Sequence, residues 1–324
     1  MSDLVYISQI KEKVLSGEKI TKDEALNLVK TNELNALLNS ANEIRKAFCG
    51  DKFNLCSIIN ARSGKCSENC KYCAQSAHFK TGCETYALLG INPILEMAQE
   101  NQSEKVHRFS LVASGRELKE NDKDMAKIEQ IYQILRENTN LHLCASFGIA
   151  SKKALQKLKD SGVKTYHHNL ETSRAFYPQI CTTHTYDNRV QTIKNCNEIG
   201  LDVCSGGIFG LGESVEDRID MAFELRELGV SSVPINILTP IKGTPLENSA
   251  PLSEEEILRC IAVYRFILPS VYLRFAGGRN KLGKSVAKAL SSGVNSAITG
   301  NFLTTTGDTI KSDIELVKSL DFEI

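Results

Sequence analysis

Short apolar runs alternate along most of this chain with longer stretches whose apolar positions recur at helical spacing. The runs read as strands at Leu55–Ile59, Arg108–Ala113, Leu141–Phe147, Thr165–Asn169, Leu201–Phe209, Val233–Leu238, Val271–Phe275 and Ser296–Asn301. The stretches near 92–104, 123–137, 151–161, 187–199, 214–228, 253–268, 283–292 and 310–320 read as helices. Asp122 and Ser253 mark helix starts, and Gly162, Gly200 and Gly229 stand where helices should stop. Eight strands alternating with eight helices predict an α/β chain closed into a (β/α)8 TIM-type barrel. A doubly wound open sheet is the alternative, and units of even size favour closure. Residues 1–48 read as helical, with a capping box at Thr21-Lys-Asp-Glu24. The expected organisation is an N-terminal helical extension, 1–48, and a barrel domain, 49–324. Working residues of such a barrel sit at the strand C-termini and in the upper interior.

Composition changes this picture little. Hydrophobic residues make up 42% of the 324, enough for a sizeable core, and no stretch approaches the roughly 20 apolar residues of a membrane span. Basic and acidic residues both number 39, which gives no support to a nucleic-acid or acidic-lipid partner. The opening Met-Ser-Asp-Leu-Val-Tyr lacks a basic segment followed by an apolar one, so a cytoplasmic location is expected. Eleven cysteines in that setting argue for metal or catalytic use rather than disulfides.

The candidate chemistry is concentrated in Cys66-Ser-Glu-Asn-Cys70-Lys-Tyr-Cys73, a C-x3-C-x2-C run. Three thiolates can hold three corners of a 4Fe-4S cluster and leave the fourth iron open to an external ligand. Half of a zinc site or a redox pair at Cys70 and Cys73 is the blander reading, but no fourth ligand follows at finger-like spacing; His78 is the nearest. The spacing resembles the cluster motif of the radical S-adenosylmethionine enzymes, whose open iron binds the amino and carboxylate groups of that cofactor. Tyr72 would cover one face of the cluster or cofactor; otherwise it is an ordinary loop aromatic.

Three more cysteines fall on predicted strands: Cys56 on the first, Cys144 on the third and Cys204 on the fifth. Each alone reads as a small buried hydrophobe. Together they can converge inside a barrel, because alternate strands contribute to one interior layer.

Several further segments extend the resemblance. They are Asn60–Ser76, Tyr166–Ser173, Thr182–Tyr186, Val203–Ile208, Val233–Asn236, Lys242–Pro245 and Leu273–Arg279. In combination, and over roughly residues 40 to 322, the chain resembles the biotin synthase family. The resemblance implies a homodimeric radical S-adenosylmethionine barrel that turns dethiobiotin into biotin, with a flavodoxin or ferredoxin-type reductant. It implies that Cys66, Cys70 and Cys73 hold the 4Fe-4S cluster. S-adenosylmethionine would split to a 5′-deoxyadenosyl radical that takes hydrogen from two unactivated carbons, work that no protein acid or base can do. It further implies an auxiliary Fe-S cluster, 2Fe-2S in the family, that donates the inserted sulfur and is held by three strand cysteines and an arginine. Cys144, Cys204 and Arg274 match three of those ligands.

The fourth does not match, since Ser110 stands where the family's better-known members have cysteine. Serine is a harder and poorer ligand for such a cluster than thiolate, so the expectation is that Cys56 takes over the role, with Cys83 a weaker candidate. If it does not, Cys56 is simply buried and Ser110 or an exogenous group is the ligand. Asn169 and Glu171 are expected to bind the cofactor ribose and the ureido ring of the substrate, with Asn236 contacting cofactor or substrate. The glycine-rich stretch from Gly206 through Ile208 to Glu213 resembles the one that approaches adenine, although glycines alone are a weak signal. His167 stands where the family more often has Asn. His184 and Arg279 match motif positions and could act on the reaction or brace the site. Cys49, Cys181, Cys196 and Cys260 match none.

Overall fold

In a computed structural model, eight parallel strands close into a barrel: β1 (Asn54–Arg62), β2 (Arg108–Ala113), β3 (His142–Ser146), β4 (Thr165–His167), β5 (Asp202–Cys204), β6 (Ser232–Ile237), β7 (Tyr272–Phe275) and β8 (Ser296–Ile298). Each pairs with the next, and β8 pairs with β1 to complete the ring. The structure describes residues 1–300, 307 and 309–324; Asn301, placed at the end of the last predicted strand, lies outside them. The N-terminal residues form α1 (Asp3–Leu15), α2 (Lys22–Lys30) and α3 (Leu34–Cys49). The predicted capping box is present: Thr21 accepts from the Glu24 amide while Glu24 accepts from the Thr21 amide. Helices α4 (Ile91–Ser103), α5 (Met125–Asn138), α6 (Lys152–Asp160), α7 (Tyr186–Glu198), α8 (Val215–Glu227), α9 (Glu254–Ile267), α10 (Val286–Leu290) and α11 (Ile310–Ser319) surround the barrel.

The first three helices are joined to the barrel helices by apolar burial and by polar ties. Ile7, Ile10, Leu28, Leu37 and Ile44 belong to the same hydrophobic cluster as the barrel strands. Arg226 donates to Ile20 O at 2.9 Å and Arg259 to Thr31 O at 2.6 Å. Gly162, Gly200 and Gly229 end α6, α7 and α8 with φ of 115°, 65° and 65°, conformations that glycine adopts without strain.

Three expectations need correction. The helix expected near 123–137 begins at Met125; Asp124 stands at the N-cap position without a side-chain cap, and the expected Asp122 accepts from the Asp124 amide at 2.9 Å. The helix near 283–292 is a 3-10 segment, Arg279–Ser285, followed by the short α10. The strand expected at Leu201–Phe209 is broken, with β5 stopping at Cys204 and its continuation running Gly207–Phe209. Both pieces keep one register against β6, Cys204 beside Ser232 and Gly207 beside Ile235. The break therefore falls opposite Pro234, which has no N–H to give the ladder. A Cβ on Gly206 would come within 2.0 Å of Pro234 O, so only glycine fits there.

Candidate active site

The barrel mouth opens on a cavity of about 410 Å³. Cys66, Cys70 and Cys73 contribute to its wall, as do Tyr72, Asn169, Glu171, Ile208 and Asn236; Cys204 and Arg274 reach it from the strands below. The sequence reading assembled these residues from segments spread over two hundred positions, and the fold brings them to one space. Gly206 contributes its backbone, pressed on Pro234, rather than a surface.

The three cysteines lie in the long connection between β1 and α4. A connection of this length without secondary structure is uncommon unless it is functional. It is tied back on itself: Cys66 N donates to Gln75 O at 3.0 Å, Ala77 N to Cys66 O at 2.7 Å and Gly64 N to Gln75 Oε1 at 3.1 Å. Gly64 and Lys65 both take positive φ, 74° and 51°, to turn the chain into the run. The loop is then pinned from outside. Lys71 N donates to Ile180 O at 2.9 Å, Asn69 Nδ2 to Thr182 Oγ1 at 2.6 Å, and Thr183 Oγ1 to Glu68 Oε2 at 2.8 Å. The same Glu68 oxygen meets His184 Nδ1 in a short buried contact. His184 thus braces the cysteine loop. Arg279 instead grips both Asp313 carboxylate oxygens at 2.6 Å beneath the surface.

At the end of β4, Asn169 donates to Glu171 at 3.4 Å and accepts from Gly206 N at 3.2 Å. Glu171 holds φ of 74°, an uncommon conformation for a side-chain-bearing residue and one found often at functional sites. Burial raises its pKa, while Arg189 at 3.7 Å and the Tyr72 hydroxyl oppose that rise. Asn236 is spoken for on both sides, donating to Gly207 O at 3.1 Å and accepting from Gly277 N at 2.9 Å. These bonds fix its amide on the cavity wall. Arg189 was missed altogether, because nothing in its helical context marks it as buried.

Deeper in the barrel, register sets the second group. Ile58, Ser110 and Cys144 stand side by side on β1, β2 and β3, and His167 stands beside Cys204. Arg274 lies between Pro234 and Ser296. Cys56 is level with Arg108, one inward position below Ser110. Cys56, Ser110, Cys144, Cys204 and Arg274 are all buried. Burial raises the Cys56 and Cys144 thiols, with Arg274 and Arg108 pulling the other way. Among the described residues Arg274 has no carboxylate beside it and its Nε has no partner; it donates to Ala297 O and Asn54 Oδ1. A buried, partly unsatisfied guanidinium facing thiols suits an anionic, sulfur-rich group. Burial, Arg274 and Arg108 push His167 down to about 3, so its ring is neutral beside the Ser110 hydroxyl at 3.4 Å. Cys83 faces Ser63 at 3.5 Å on the cysteine loop rather than this chamber.

The likeness to known proteins is extensive. Residues 61–225 match the radical SAM superfamily and residues 234–323 the biotin and thiamin synthesis associated domain. The biotin synthase of Campylobacter hominis is 62% identical, over 98% of this chain and 97% of its own. That of Fusobacterium nucleatum is 56% identical, over 98% and 91%. The chain belongs to the biotin synthase family. Among solved structures, methylornithine synthase superposes with a TM-score of 0.83 at 20% identity, over 97% of this chain and 96% of its own. The FeFe-hydrogenase maturase of Carboxydothermus hydrogenoformans gives 0.81 at 18%, over 98% and 78%. At such identities these two speak to the barrel alone. Among the described residues no helix is long and apolar enough to cross a membrane.

Proposed function

We propose that this chain converts dethiobiotin to biotin, with S-adenosylmethionine bound at a 4Fe-4S cluster on Cys66, Cys70 and Cys73. The observation that carries the reading is the shared cavity: the three cysteines, Asn169 and Glu171 just beyond β4, and the deep pair Cys204 and Arg274 all open on it. When bound, cluster and cofactor supply the radical that removes hydrogen from unactivated carbon. The protein's share is to hold and enclose. Asn169 and Glu171 offer donor and acceptor atoms to the cofactor ribose and the substrate's ureido ring, Tyr72 covers one side, and Gly206, Ile208 and Asn236 shape the far wall.

The auxiliary cluster is assigned to Cys144, Cys204 and Arg274, with Cys56 supplying the thiolate that Ser110 lacks. Its lower place on β1 suits a cluster extended toward Arg108, different in size from the 2Fe-2S form. A flavodoxin or ferredoxin-type reductant, a cytoplasmic setting and a homodimer complete the reading, with residues 1–48 an extension carried by the barrel of 49–324.

The test is an anaerobic assay of reconstituted, reduced protein with S-adenosylmethionine and dethiobiotin. Biotin accompanied by about two 5′-deoxyadenosines per product, one for each C–H bond opened, is the expected result. Deoxyadenosine without biotin would overturn the substrate; neither product from protein with an intact cluster would overturn the enzyme reading.

A further inference from the structure

Cys181, which no motif singled out, stands against Cys70 with its Sγ 3.7 Å away. His184 Nδ1 is 3.3 Å from the Cys181 sulfur, and the three ligand atoms all lie within 4.8 Å of one another. Glu68 reaches the same imidazole nitrogen. All four residues are buried. A cation bound tetrahedrally by thiolates at about 2.3 Å and imidazole at about 2.05 Å separates its ligands by about 3.8 Å between sulfurs and about 3.6 Å between sulfur and nitrogen. The Cys70–Cys181 and Cys181–His184 separations are already close to those edges, and the Glu68 oxygen would draw back from Nδ1 to take the fourth place. The imidazole is also oriented as metal-bound histidines are, through its other nitrogen: Nε2 meets the Tyr177 hydroxyl at 2.8 Å, and Arg189 holds that hydroxyl at 2.6 Å. The two loops are joined by Lys71 N to Ile180 O, so the geometry is built into the fold.

We propose that the cluster-free chain binds one thiophilic divalent cation at Cys70, Cys181 and His184, with Glu68 closing the tetrahedron. The cation displaces the two thiol protons and the proton shared between Nδ1 and Glu68, which leave to solvent. Cys70 is also the middle cysteine of the C-x3-C-x2-C run, and its one thiolate cannot serve both groups in full. Cation and 4Fe-4S cluster therefore exclude each other; this consequence, unlike the site, rests on the reading of the preceding section.

The test uses full-length protein stripped of iron under anaerobic conditions and titrated with Zn²⁺ alone, comparing the natural chain with C181S, H184Q and C66A. C181S and H184Q are expected to hold one equivalent fewer, and C66A the same number as the natural chain. Equal stoichiometry in C181S overturns the site. Loss in C66A also overturns it, by placing the cation on the C-x3-C-x2-C run. Should C181S fail to fold, Co²⁺ added to a C66A/C73A variant, which keeps Cys70 but breaks the run, decides: intense visible bands of four-coordinate cobalt with thiolate charge transfer support the site, and weak six-coordinate bands overturn it. Zinc-loaded natural chain should then assemble the 4Fe-4S cluster about tenfold more slowly than C181S treated alike. Zinc bound at the four residues without any such delay would overturn the shared role of Cys70 and leave the site standing.

Discussion

Replacing Arg189 by Met removes the cation that faces Glu171 across 3.7 Å with both side chains nearly out of solvent, 10% and 11% exposed. At an effective dielectric near 20, that separation corresponds to about 4.5 kcal/mol of attraction. Breaking a buried pair from one side has a measured range of about 3–5 kcal/mol, because the remaining charge is left uncompensated. The loss should depend on pH. Burial already raises the Glu171 pKa, and Arg189 works against that rise, so its removal carries the pKa higher still. A carboxyl whose folded pKa is raised binds its proton more tightly in the folded state. Stability therefore falls as pH climbs from the ordinary carboxylate value through the folded one, and R189M stretches that window upward. Below it Glu171 is neutral in both states, and the variant loses chiefly its hydrogen bonds to Asn169 O at 2.7 Å and Tyr177 Oη at 2.6 Å. Denaturant unfolding of the natural chain and R189M between acidic and neutral pH is the assay, with R189M/E171Q as the partner that removes the stranded charge. The gap should widen with pH and shrink in the double variant. A gap independent of pH, or one that E171Q leaves untouched, would refute the reasoning.

Other substitutions test other parts of the site. G206A drives a Cβ to 2.0 Å from Pro234 O and should cost about 3 kcal/mol or more, whereas G90A, with nothing within 4 Å, should change the unfolding midpoint little. D313N weakens the buried Arg279–Asp313 pair, 2% and 3% exposed, and should lower the unfolding midpoint while leaving the iron bound at the cysteine loop unchanged. C56A should remove the iron of the auxiliary cluster and spare that of Cys66, Cys70 and Cys73; full retention of both in Mössbauer spectra would assign the missing ligand elsewhere.

What could be read from sequence was local. The C-x3-C-x2-C run carries its ligands within eight residues, and the barrel announces itself through repeated apolar runs with glycine stops. Cys144 and Cys204 could be placed on strands from the apolar runs, but the ligand role expected of them came from the resemblance to the family and not from their pattern. The Arg189–Glu171 pair was not legible, because whether a helical arginine is a solvated charge or a buried one depends on what packs against it. Cys181 was passed over for the same reason: its partner Cys70 lies 111 positions earlier and meets it only through the loop pairing around Ile180. The break in β5 had a visible cause in Pro234, but on the neighbouring strand, and strand-by-strand reading does not see across a ladder.

The missed residues Arg189, Tyr177 and Glu68 complete a single chain of contacts with Glu171 and His184, and it joins the two halves of the site. From Glu171 at the end of β4 it runs to Arg189, to the Tyr177 hydroxyl, to His184 and then to Glu68, between the first two cysteines of the run. Every link is buried, so none is exchanged readily for water and each is expensive to leave unmade. An open iron is useful only if the bound cofactor and the substrate meet within a fraction of an ångström of the right place, and loops hold such positions less well than strands. Here a long loop acquires the rigidity of the barrel by being bonded, through α7, to the strand end that carries Asn169 and Glu171. A substitution at Tyr177, remote from the cysteine loop in sequence, should therefore disturb both cluster stability and cofactor affinity, whereas one at Asp313, equally buried but outside this chain, should disturb neither.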